Sequence, residues 1–241
     1  MIGIIGFGRF GKLTAGYLAE DFEFYVFNRT NKSAEIKKAG DRSASLKKVC
    51  RQKIVILCLP ISTFKEVLVE IRPLLNKDSV VVDVCSVKVY PTEWMKTSLP
   101  ETVSILATHP IFGPDSASDS LKGRKIFLSP IRISKQPYQK IKTYLASKEL
   151  VLIESTPEDH DEQIAVSLSL THYIGRALSE FGAAPLGIDS EGYKRLLHIL
   201  EVVENDTWQL FYDMHRYNPY AQKKRTAFLQ ALQKIEEQIE S

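Results

Sequence analysis

Apolar residues along the first two thirds of the chain alternate between short continuous runs and amphipathic stretches. The short runs are rich in β-branched residues, which is typical of buried strands. The stretches between them repeat apolar residues at helical spacing, as in "ISTFKEVLVEIRPLL". Strands that alternate with helices predict an α/β domain with a mostly parallel sheet. The predicted strands are "IGII", "FEFYVF", "KIVILCL", "SVVVDV", "VSILAT", "KIFLSP" and "ELVLIES".

After Pro157 the strand-like runs stop and long helical patterns begin. We therefore expect two domains, with the boundary between residues 1–154 and 155–241. Three apolar-striped helices are too few for a compact core, so we expect the second domain to pack against a second copy in a homodimer. The predicted helices run from Pro157 to Gly182, from about Asp189 to His215, and from about Pro219 to the end.

The composition is that of a soluble globular protein and limits the classes of partner that the chain is expected to bind. Of the 241 residues, 44% are apolar and 25% are charged, and 32 basic against 29 acidic residues leave a net charge of +3. This balance does not favour binding to nucleic acid or to a membrane surface. The longest apolar runs are much shorter than the roughly 20 residues that span a bilayer. We expect a small-molecule ligand.

The three cysteines indicate a reducing compartment. Cys50, Cys58 and Cys85 form no CxxC pair, and two of them lie in apolar runs, so we expect free thiols and no metal site. The amino terminus lacks the pattern of a signal peptide. A cytoplasmic location is expected, with import into an organelle by a removed leader as the alternative.

A glycine loop follows the first predicted strand. "GIIGFGRFG" places Gly6, Gly8 and Gly11 in G-x-G-x-x-G spacing and opens a helix. The first glycine permits a tight turn, the second lets a pyrophosphate approach, and the third lets helix and strand pack closely. The helix amino terminus favours the anion. The sequence therefore predicts a Rossmann-type dinucleotide-binding domain followed by an all-helical dimerisation domain; a turn without a ligand is the alternative.

The residues after the second strand favour NADP over NAD. An NAD site usually has an acidic residue here for the ribose 2′-hydroxyl, whereas an arginine accommodates a 2′-phosphate. "NRT" has no acid and offers Arg29, for which a solvated loop cation is the alternative. The expected cofactor-binding residues are Gly6, Phe7, Gly8, Arg9, Phe10, Gly11, Asn28, Arg29, Thr30, Leu59, Pro60 and Cys85.

Three polar residues follow two neighbouring predicted strands. Ser86 and Lys88 follow "VVVDVC", and His109 follows "VSILAT", which should end near Thr108. Ligands of open α/β sheets bind beyond the carboxyl ends of the strands, and histidine is the usual general base near neutral pH. We therefore expect Ser86, Lys88 and His109 to be catalytic. The alternatives are a helix-capping serine, a surface lysine and a loop histidine.

"GFGRFG", "DVCSVK", "THPIFGPDS" and "HDEQIAVSLSLTHYIGR", in this order and spacing, resemble the prephenate/arogenate dehydrogenase family of tyrosine biosynthesis. The resemblance covers nearly the whole chain. It implies oxidative decarboxylation, in which hydride leaves C4 for the nicotinamide and the ring loses CO2. With that chemistry, His109 would accept the proton of the C4 hydroxyl. Ser86 would hydrogen-bond the same hydroxyl or His109 and hold the geometry. Lys88 would anchor the loop or supply positive charge.

The resemblance also implies substrate-binding residues in the helical region. His172 would hydrogen-bond the ring carboxylate, with a core histidine as the alternative, and Arg176 lies one turn further along. The family usually supplies an arginine from a "GFRDTTR"-like segment, which this sequence lacks. Lys194 or Arg195 of "EGYKRLLHILEVVEND" would replace it.

An acid near the substrate side chain favours arogenate over prephenate, because it pairs with the ammonium group. "GPDSASDS" offers Asp115 and Asp119. Asp119 falls where the similar plant-type arogenate enzymes carry a selecting acid, so arogenate is expected. A capping role for Asp115 and a solvated helix position for Asp119 are the alternatives.

Two other functions stay open. A β-hydroxyacid dehydrogenase or imine reductase shares the glycine loop and helical second domain, but places a catalytic lysine or other group on the first long helix, and residues 157–182 contain no lysine. His109 at the strand end also argues against these enzymes. The second open function is that of a non-catalytic NADP(H)-binding regulator, because the chain lacks the arginine segment that the family uses to bind its substrate.

Overall fold

A computed structural model describes residues 1–38, 40 and 42–240, and the chain divides into two compact units, Met1–Pro157 and Glu158–Ser241. In the described residues the first unit holds one eight-stranded sheet. Each of the seven predicted apolar runs forms a strand, whereas the two-residue β3 is exposed and polar and gave no apolar signal. The strands are β1 (Ile2–Ile5), β2 (Phe24–Phe27), β3 (Arg42–Ser43), β4 (Ile54–Leu57), β5 (Val80–Asp83), β6 (Ser104–Pro110), β7 (Lys125–Arg132) and β8 (Val151–Glu154).

The strand order is β3-β2-β1-β4-β5-β6-β7-β8, and every pair is parallel except β6 with β7. The order reverses between β1 and β4, which creates the crevice where such sheets bind ligands. The apolar side chains of β1, β4, β5 and β6 form much of the core. The prediction of a mostly parallel, Rossmann-type sheet followed by helices is confirmed.

Helices connect the strands of the first unit. The predicted apolar stripe on the helix after β4 is present, since its Phe64, Leu68 and Ile71 are fully buried. A 3₁₀ turn at Arg72–Leu74 follows it. The helices of this unit are α1 (Arg9–Ala19), α2 (Ser33–Lys38), α3 (Leu46–Cys50), α4 (Ile61–Ile71), α5 (Val89–Ser98) and α6 (Lys135–Ser147).

The described part of the second unit is helical. The first predicted helix contains a π-helical segment, Ala165–Leu170, and ends as expected at Gly182, whose φ of 79° is left-handed. The single helix predicted from Asp189 to His215 is wrong: two helices form, because Thr207 caps a new helix by accepting from the Leu210 N–H. The helices are α7 (Pro157–Ile164), α8 (Thr171–Phe181), α9 (Glu191–Glu204), α10 (Trp208–Arg216) and α11 (Ala221–Ile239).

Cys50, Cys58 and Cys85 have free thiols. Burial raises the pKa of the Cys50 and Cys58 thiols to about 12, so neither is a reactive thiolate at neutral pH. None of the described helices combines the length and the apolar character that a bilayer span requires. Among the described residues no cluster of histidine, cysteine and acidic side chains could hold a metal ion.

Candidate functional site

The glycine loop has the geometry that a dinucleotide site requires. Gly6 has a φ of 102°, and a Cβ there would clash with the Cys58 carbonyl oxygen. A Cβ on Gly11 would clash with the Gly6 carbonyl oxygen. Both positions therefore need glycine, because the loop packs closely against α1 on one side and the end of β4 on the other.

Gly8 faces open space. Apart from Gly8 itself and its immediate chain neighbours, no atom of the described residues lies within 4 Å of the position that its Cβ would occupy. It is the N-cap residue of α1, no side chain caps the helix there, and the first turn carries no acid. The N–H groups of this turn are thus available to an anion, and the helix dipole favours one. The loop fits the pyrophosphate of a dinucleotide.

The turn after β2 holds the glycine loop in place. The Asn28 side chain accepts a hydrogen bond from the Phe7 N–H at 2.8 Å and donates to Thr30 Oγ1 at 2.9 Å. Lys32 donates to the Phe7 carbonyl at 3.1 Å. Arg29 is exposed and makes no ion pair among the described residues. The amide of Asn28 orders the loop, and Arg29 is available to a ligand.

The segment that follows β6 lies against the start of α1. Arg9 donates to both carboxylate oxygens of Asp115 at 2.7 Å, and the rings of Phe10 and Phe112 are 6.3 Å apart. Residues 114–117 form a turn and residues 118–119 a bend, with no helix, so neither a helix cap at Asp115 nor a helix position for Asp119 applies. Asp119 is exposed, accepts from the Ser118 hydroxyl at 2.9 Å, and has no cationic partner among the described residues.

The other expected cofactor residues lie at the ends of β4 and β5. Leu59 Cδ2 lies 3.3 Å from the position of a Gly6 Cβ, and Pro60 is the N-cap residue of α4. Cys85 is buried two residues beyond β5 and donates its N–H to Asp83 Oδ2 at 3.2 Å. All three positions are on the carboxyl edge of the sheet, as expected from strand direction.

Beneath this edge, a buried ion pair joins β5 to β6. Lys88 and Asp83 have fully buried side chains, and Lys88 Nζ donates to Asp83 Oδ2 and to the Thr108 carbonyl. The Thr108 N–H donates to Asp83 Oδ1 at 3.1 Å, and its hydroxyl donates to the Asp83 carbonyl at 2.5 Å. Burial raises the pKa of Asp83, and Lys88 opposes the shift. Lys88 is thus an internal anchor.

His109 lies inside β6 rather than in the loop after it. The expected strand end at Thr108 is wrong, because β6 continues to Pro110 by antiparallel pairing with β7, where His109 faces Phe127. Pairing with β5 stops earlier, at Ala107 opposite Asp83. His109 therefore lies beyond the carboxyl end of β5, as expected. Its backbone is held by the pairing of β6 with β7. The residue is 6% exposed.

Ser86 lies three residues beyond β5. Its Oγ is buried and has no hydrogen-bond partner in the described part of the chain. It does not cap the following helix, since α5 begins at Val89 and its N-cap residue is Lys88. Because Lys88 bonds to the Thr108 carbonyl, the Ser86 and His109 segments are held next to each other. A buried hydroxyl without a partner is costly and typical of a ligand site.

The second unit contains a cluster around His172. This histidine is 3% exposed, its Nε2 lies 3.7 Å from Asp206 Oδ2, and its Nδ1 has no partner among the described residues. Burial lowers its pKa, with Asp206 opposing and Arg176 adding to the shift. Arg176 donates to the Asp206 carbonyl and lies 4.4 Å from the Trp208 ring centre. Arg176 therefore faces the protein, not solvent.

Lys194 and Arg195 are exposed on α9, and Lys194 pairs with Glu191 at 2.8 Å. The sequence did not single out Asp83, Asp206 or Trp208. Asp83 could have been predicted from the sequence, since a carboxylate that ends a buried valine strand needs a buried partner. Asp206 and Trp208 could not have been predicted, because their role depends on the break between α9 and α10.

With the geometry described, comparison with known proteins identifies the family. The model of the nucleotide-binding domain of prephenate dehydrogenase matches residues 26–154, which is more than half of the chain. The chain belongs to the prephenate dehydrogenase family. The glycine loop precedes the matched range, so its assignment depends on its own geometry. Residues 177–241 match the TYRAAT1-like C-terminal domain.

Two curated relatives of this family come from Arabidopsis thaliana. Arogenate dehydrogenase 1, chloroplastic, is 29% identical over 249 residues, which cover 99% of this chain but 39% of the relative. Arogenate dehydrogenase 2, chloroplastic, is 28% identical over 248 residues, which cover 99% of this chain and 69% of the relative. The chain thus spans well under half the length of the first.

Among solved structures, prephenate dehydrogenase from Aquifex aeolicus has the same fold. Its crystal structure aligns with a TM-score of 0.79 at 22% identity, over 99% of this chain and 92% of that chain. A second crystal structure of that enzyme, with hydroxyphenyl propionate and NAD+, aligns with a TM-score of 0.78 at 23% identity over 99% and 90%. At this identity the likeness establishes the fold alone.

Proposed function

We propose that the chain catalyses the NADP-dependent oxidative decarboxylation of arogenate, or of prephenate, in tyrosine biosynthesis. The observation that carries the proposal is the placement of His109 and Ser86 on adjacent strand ends at the carboxyl edge of the sheet, with a buried Ser86 hydroxyl that has no partner among the described residues. An alcohol oxidation needs a base and an orienting donor at that edge, facing the cofactor. Membership of the prephenate dehydrogenase family fits this chemistry.

The cofactor would be held by the glycine loop, the turn after β2 and the ends of β4 and β5. The pyrophosphate would meet the N–H groups at Gly8, and Leu59, Pro60 and Cys85 would line the site further along the same edge. When bound, the nicotinamide supplies the hydride acceptor for C4 of the substrate ring. The NAD+ in the Aquifex aeolicus structure makes NAD the competing cofactor.

Arg29→Ala is expected to weaken NADP binding by roughly 10- to 100-fold and NAD binding far less, because only NADP offers a 2′-phosphate to the guanidinium. Fluorescence titration with each dinucleotide measures both dissociation constants. Arg51→Ala, at another exposed arginine of the same unit, is the matched control and should change neither. Equal losses for both dinucleotides would assign Arg29 to the loop structure alone.

The proposed mechanism uses three residues of the first unit. Neutral His109 accepts the proton of the C4 hydroxyl while the ring carbon is oxidised, and the Ser86 hydroxyl fixes the geometry. Lys88 acts through Asp83 and Thr108, which hold the two catalytic segments together. Loss of CO2 from the resulting ketone aromatises the ring, so that step needs little help from the protein.

On the substrate side, His172 would donate a hydrogen bond to the ring carboxylate. Its buried Nδ1 without a described partner supports this role. Arg176 would act indirectly, since its guanidinium already engages Asp206 and Trp208. For Lys194 and Arg195, the only support for substrate binding is that both residues are exposed.

Asp119→Asn is expected to shift the preference from arogenate towards prephenate by roughly tenfold in the ratio of kcat/KM values. The reason is that the Asp119 carboxylate, which has no cationic partner among the described residues, would lose its attraction for the ammonium of arogenate. Steady-state rates with both substrates give the ratio. Asp78→Asn, at an exposed acid of the same unit, should leave it unchanged; an unchanged ratio in Asp119→Asn would remove this residue from substrate selection.

We also propose a homodimer formed through the helical unit. The last helix exposes an apolar stripe, and the connection before α9 exposes two further large apolar side chains. An area of this kind is usually covered by a partner. Light scattering that gives a single chain mass at micromolar concentration would contradict it. The exposed residues are Leu186, Ile188, Leu229, Leu232, Ile235 and Ile239.

For the compartment, free cysteines favour a reducing environment such as the cytoplasm. The chloroplastic names of the two Arabidopsis thaliana relatives support an organelle as the alternative. Fractionation of the source cells with an antibody to the chain distinguishes the two.

The decisive assay follows NADPH formation with arogenate and with prephenate. We expect turnover with at least one substrate, and faster turnover with arogenate. If NADP binds but neither substrate reduces it, the regulator replaces the dehydrogenase as the function. If a simple β-hydroxyacid is oxidised instead, the related enzyme class is correct.

A further inference from the structure

A pocket in the second unit is not used by the proposed mechanism. It has a volume of about 240 Å³ and is formed by residues of α8, α10 and α11. We call it the α10–α11 pocket. A cavity of this size suits a small molecule with one ring. Its lining residues are Tyr173, Phe211, Tyr212, His215, Arg216 and Arg225.

The pocket carries positive charge that the described residues do not neutralise. Arg216 and Arg225 both line it, and neither forms an ion pair with a described acid. The Arg216 guanidinium lies 5.1 Å from the Tyr212 ring centre, and Arg225 Nη1 donates to His215 Nδ1 at 2.7 Å. Two guanidinium groups without a carboxylate partner in one pocket favour an anionic ligand.

His215 adds a donor to the pocket. Burial and the nearby Arg225 lower its pKa to about 4, so the ring is neutral at pH 7. Because Nδ1 accepts from Arg225, the proton must be on Nε2. Nε2 is buried and has no partner in the described part of the chain. A buried N–H without an acceptor is unfavourable unless a ligand supplies one.

Aromatic rings form the rest of the pocket wall. The Phe211 and His215 ring centres are 4.5 Å apart, and those of Tyr173 and His215 are 6.1 Å apart. These rings already contact one another, and an acid that carries a ring would add a further ring contact that a bare inorganic anion does not offer. The combination of an arginine pair, an N–H donor and aromatic walls matches a cyclic or aromatic carboxylic acid.

We propose that the α10–α11 pocket binds the carboxylate of a small ring-bearing acid, with Arg225 and His215 Nε2 as donors and Arg216 at the rim. This site stands on its own contacts and does not require the proposed activity.

A first test uses the unaltered chain without dinucleotide and 3-phenylpropionate as the probe. Its neutral analogue 3-phenylpropanamide is the control ligand. We expect the acid to bind at least tenfold more tightly and to shift the His215 Nε2 resonance in nitrogen-15 NMR spectra. His198, which is exposed on α9, should not shift. Equal binding of acid and amide, or an unmoved His215 signal with saturating acid, would overturn the proposal.

A second test uses substitutions. Arg225→Gln should weaken binding of 3-phenylpropionate by roughly 10- to 100-fold, because a charged hydrogen-bond donor is lost. Lys223→Gln removes an exposed cation from the same helix and should leave the affinity unchanged. Arg216→Gln guards against misfolding as the cause, since Arg216 is exposed. In this variant we expect a several-fold loss of affinity for 3-phenylpropionate. Unchanged affinity in both arginine variants would contradict the assignment.

The two proposals fail in different ways. If the acid binds through Arg225 but neither arogenate nor prephenate reduces NADP, the pocket stands and the activity is wrong. If NADPH forms normally in Arg225→Gln and the probe binds as before, the activity stands and the pocket assignment is wrong.

Discussion

His109→Asn is expected to lower kcat by roughly 10²–10⁴-fold while the affinity for NADP stays nearly unchanged. Asparagine keeps a polar side chain of similar reach but cannot take the proton of the C4 hydroxyl. The loss should fall on kcat and kcat/KM together, because the proton is transferred in the transition state and not on substrate binding. Steady-state NADPH formation and a separate NADP titration measure the two quantities.

The buried setting of His109 makes this result interpretable. The residue is part of the β6–β7 pairing through its backbone, which asparagine preserves, so the strand should remain intact. His198→Asn, at an exposed histidine paired with Glu201, is the control and should keep full activity. A His109→Asn rate close to that of the unaltered chain would remove this residue from proton transfer.

Lys88→Met is expected to lower the free energy of unfolding by about 3–5 kcal/mol. Methionine fills a similar volume but removes the ammonium group that neutralises Asp83 and binds the Thr108 carbonyl. The Asp83 carboxylate would then stay in a fully buried position with only N–H donors from Cys85 and Thr108. Denaturant unfolding followed by circular dichroism measures the change.

Two further variants define the source of this loss. Adding Asp83→Asn to Lys88→Met should destabilise less than the sum of the two single changes, because both remove one interaction. Lys96→Met breaks the exposed pair with Glu93 and should move the unfolding midpoint little. A Lys88→Met effect as small as that of Lys96→Met would mean that the buried pair does not hold β5 to β6.

The sequence predicted the strand and helix order of the first unit well, because apolar periodicity and glycine spacing are local properties. The contacts among Arg9, Phe10, Phe112 and Asp115 join segments about one hundred residues apart, and no local pattern encodes them. The extension of β6 through His109 depends on its pairing with β7, which is also non-local. The same holds for Asp206 and Trp208 in the second unit.

Charged residues were the hardest to assign from sequence. The sequence allowed a surface position for Lys88, but its side chain is fully buried because it pairs with Asp83, which lies five residues earlier at the end of β5. Arg176 lies against Trp208. In each case the partner determines the position, and the partner becomes evident only when the chain is folded.

The most direct test of the proposed mechanism is a crystal structure of the chain with NADP and 3-(4-hydroxyphenyl)propionate, an unreactive ring acid with an oxygen at the reacting position. The mechanism predicts a His109 ring nitrogen within about 3.2 Å of that oxygen, with Ser86 Oγ bonded to the same oxygen or to His109. A His109 ring that turns away from the bound dinucleotide, with another base at the oxygen, would contradict it.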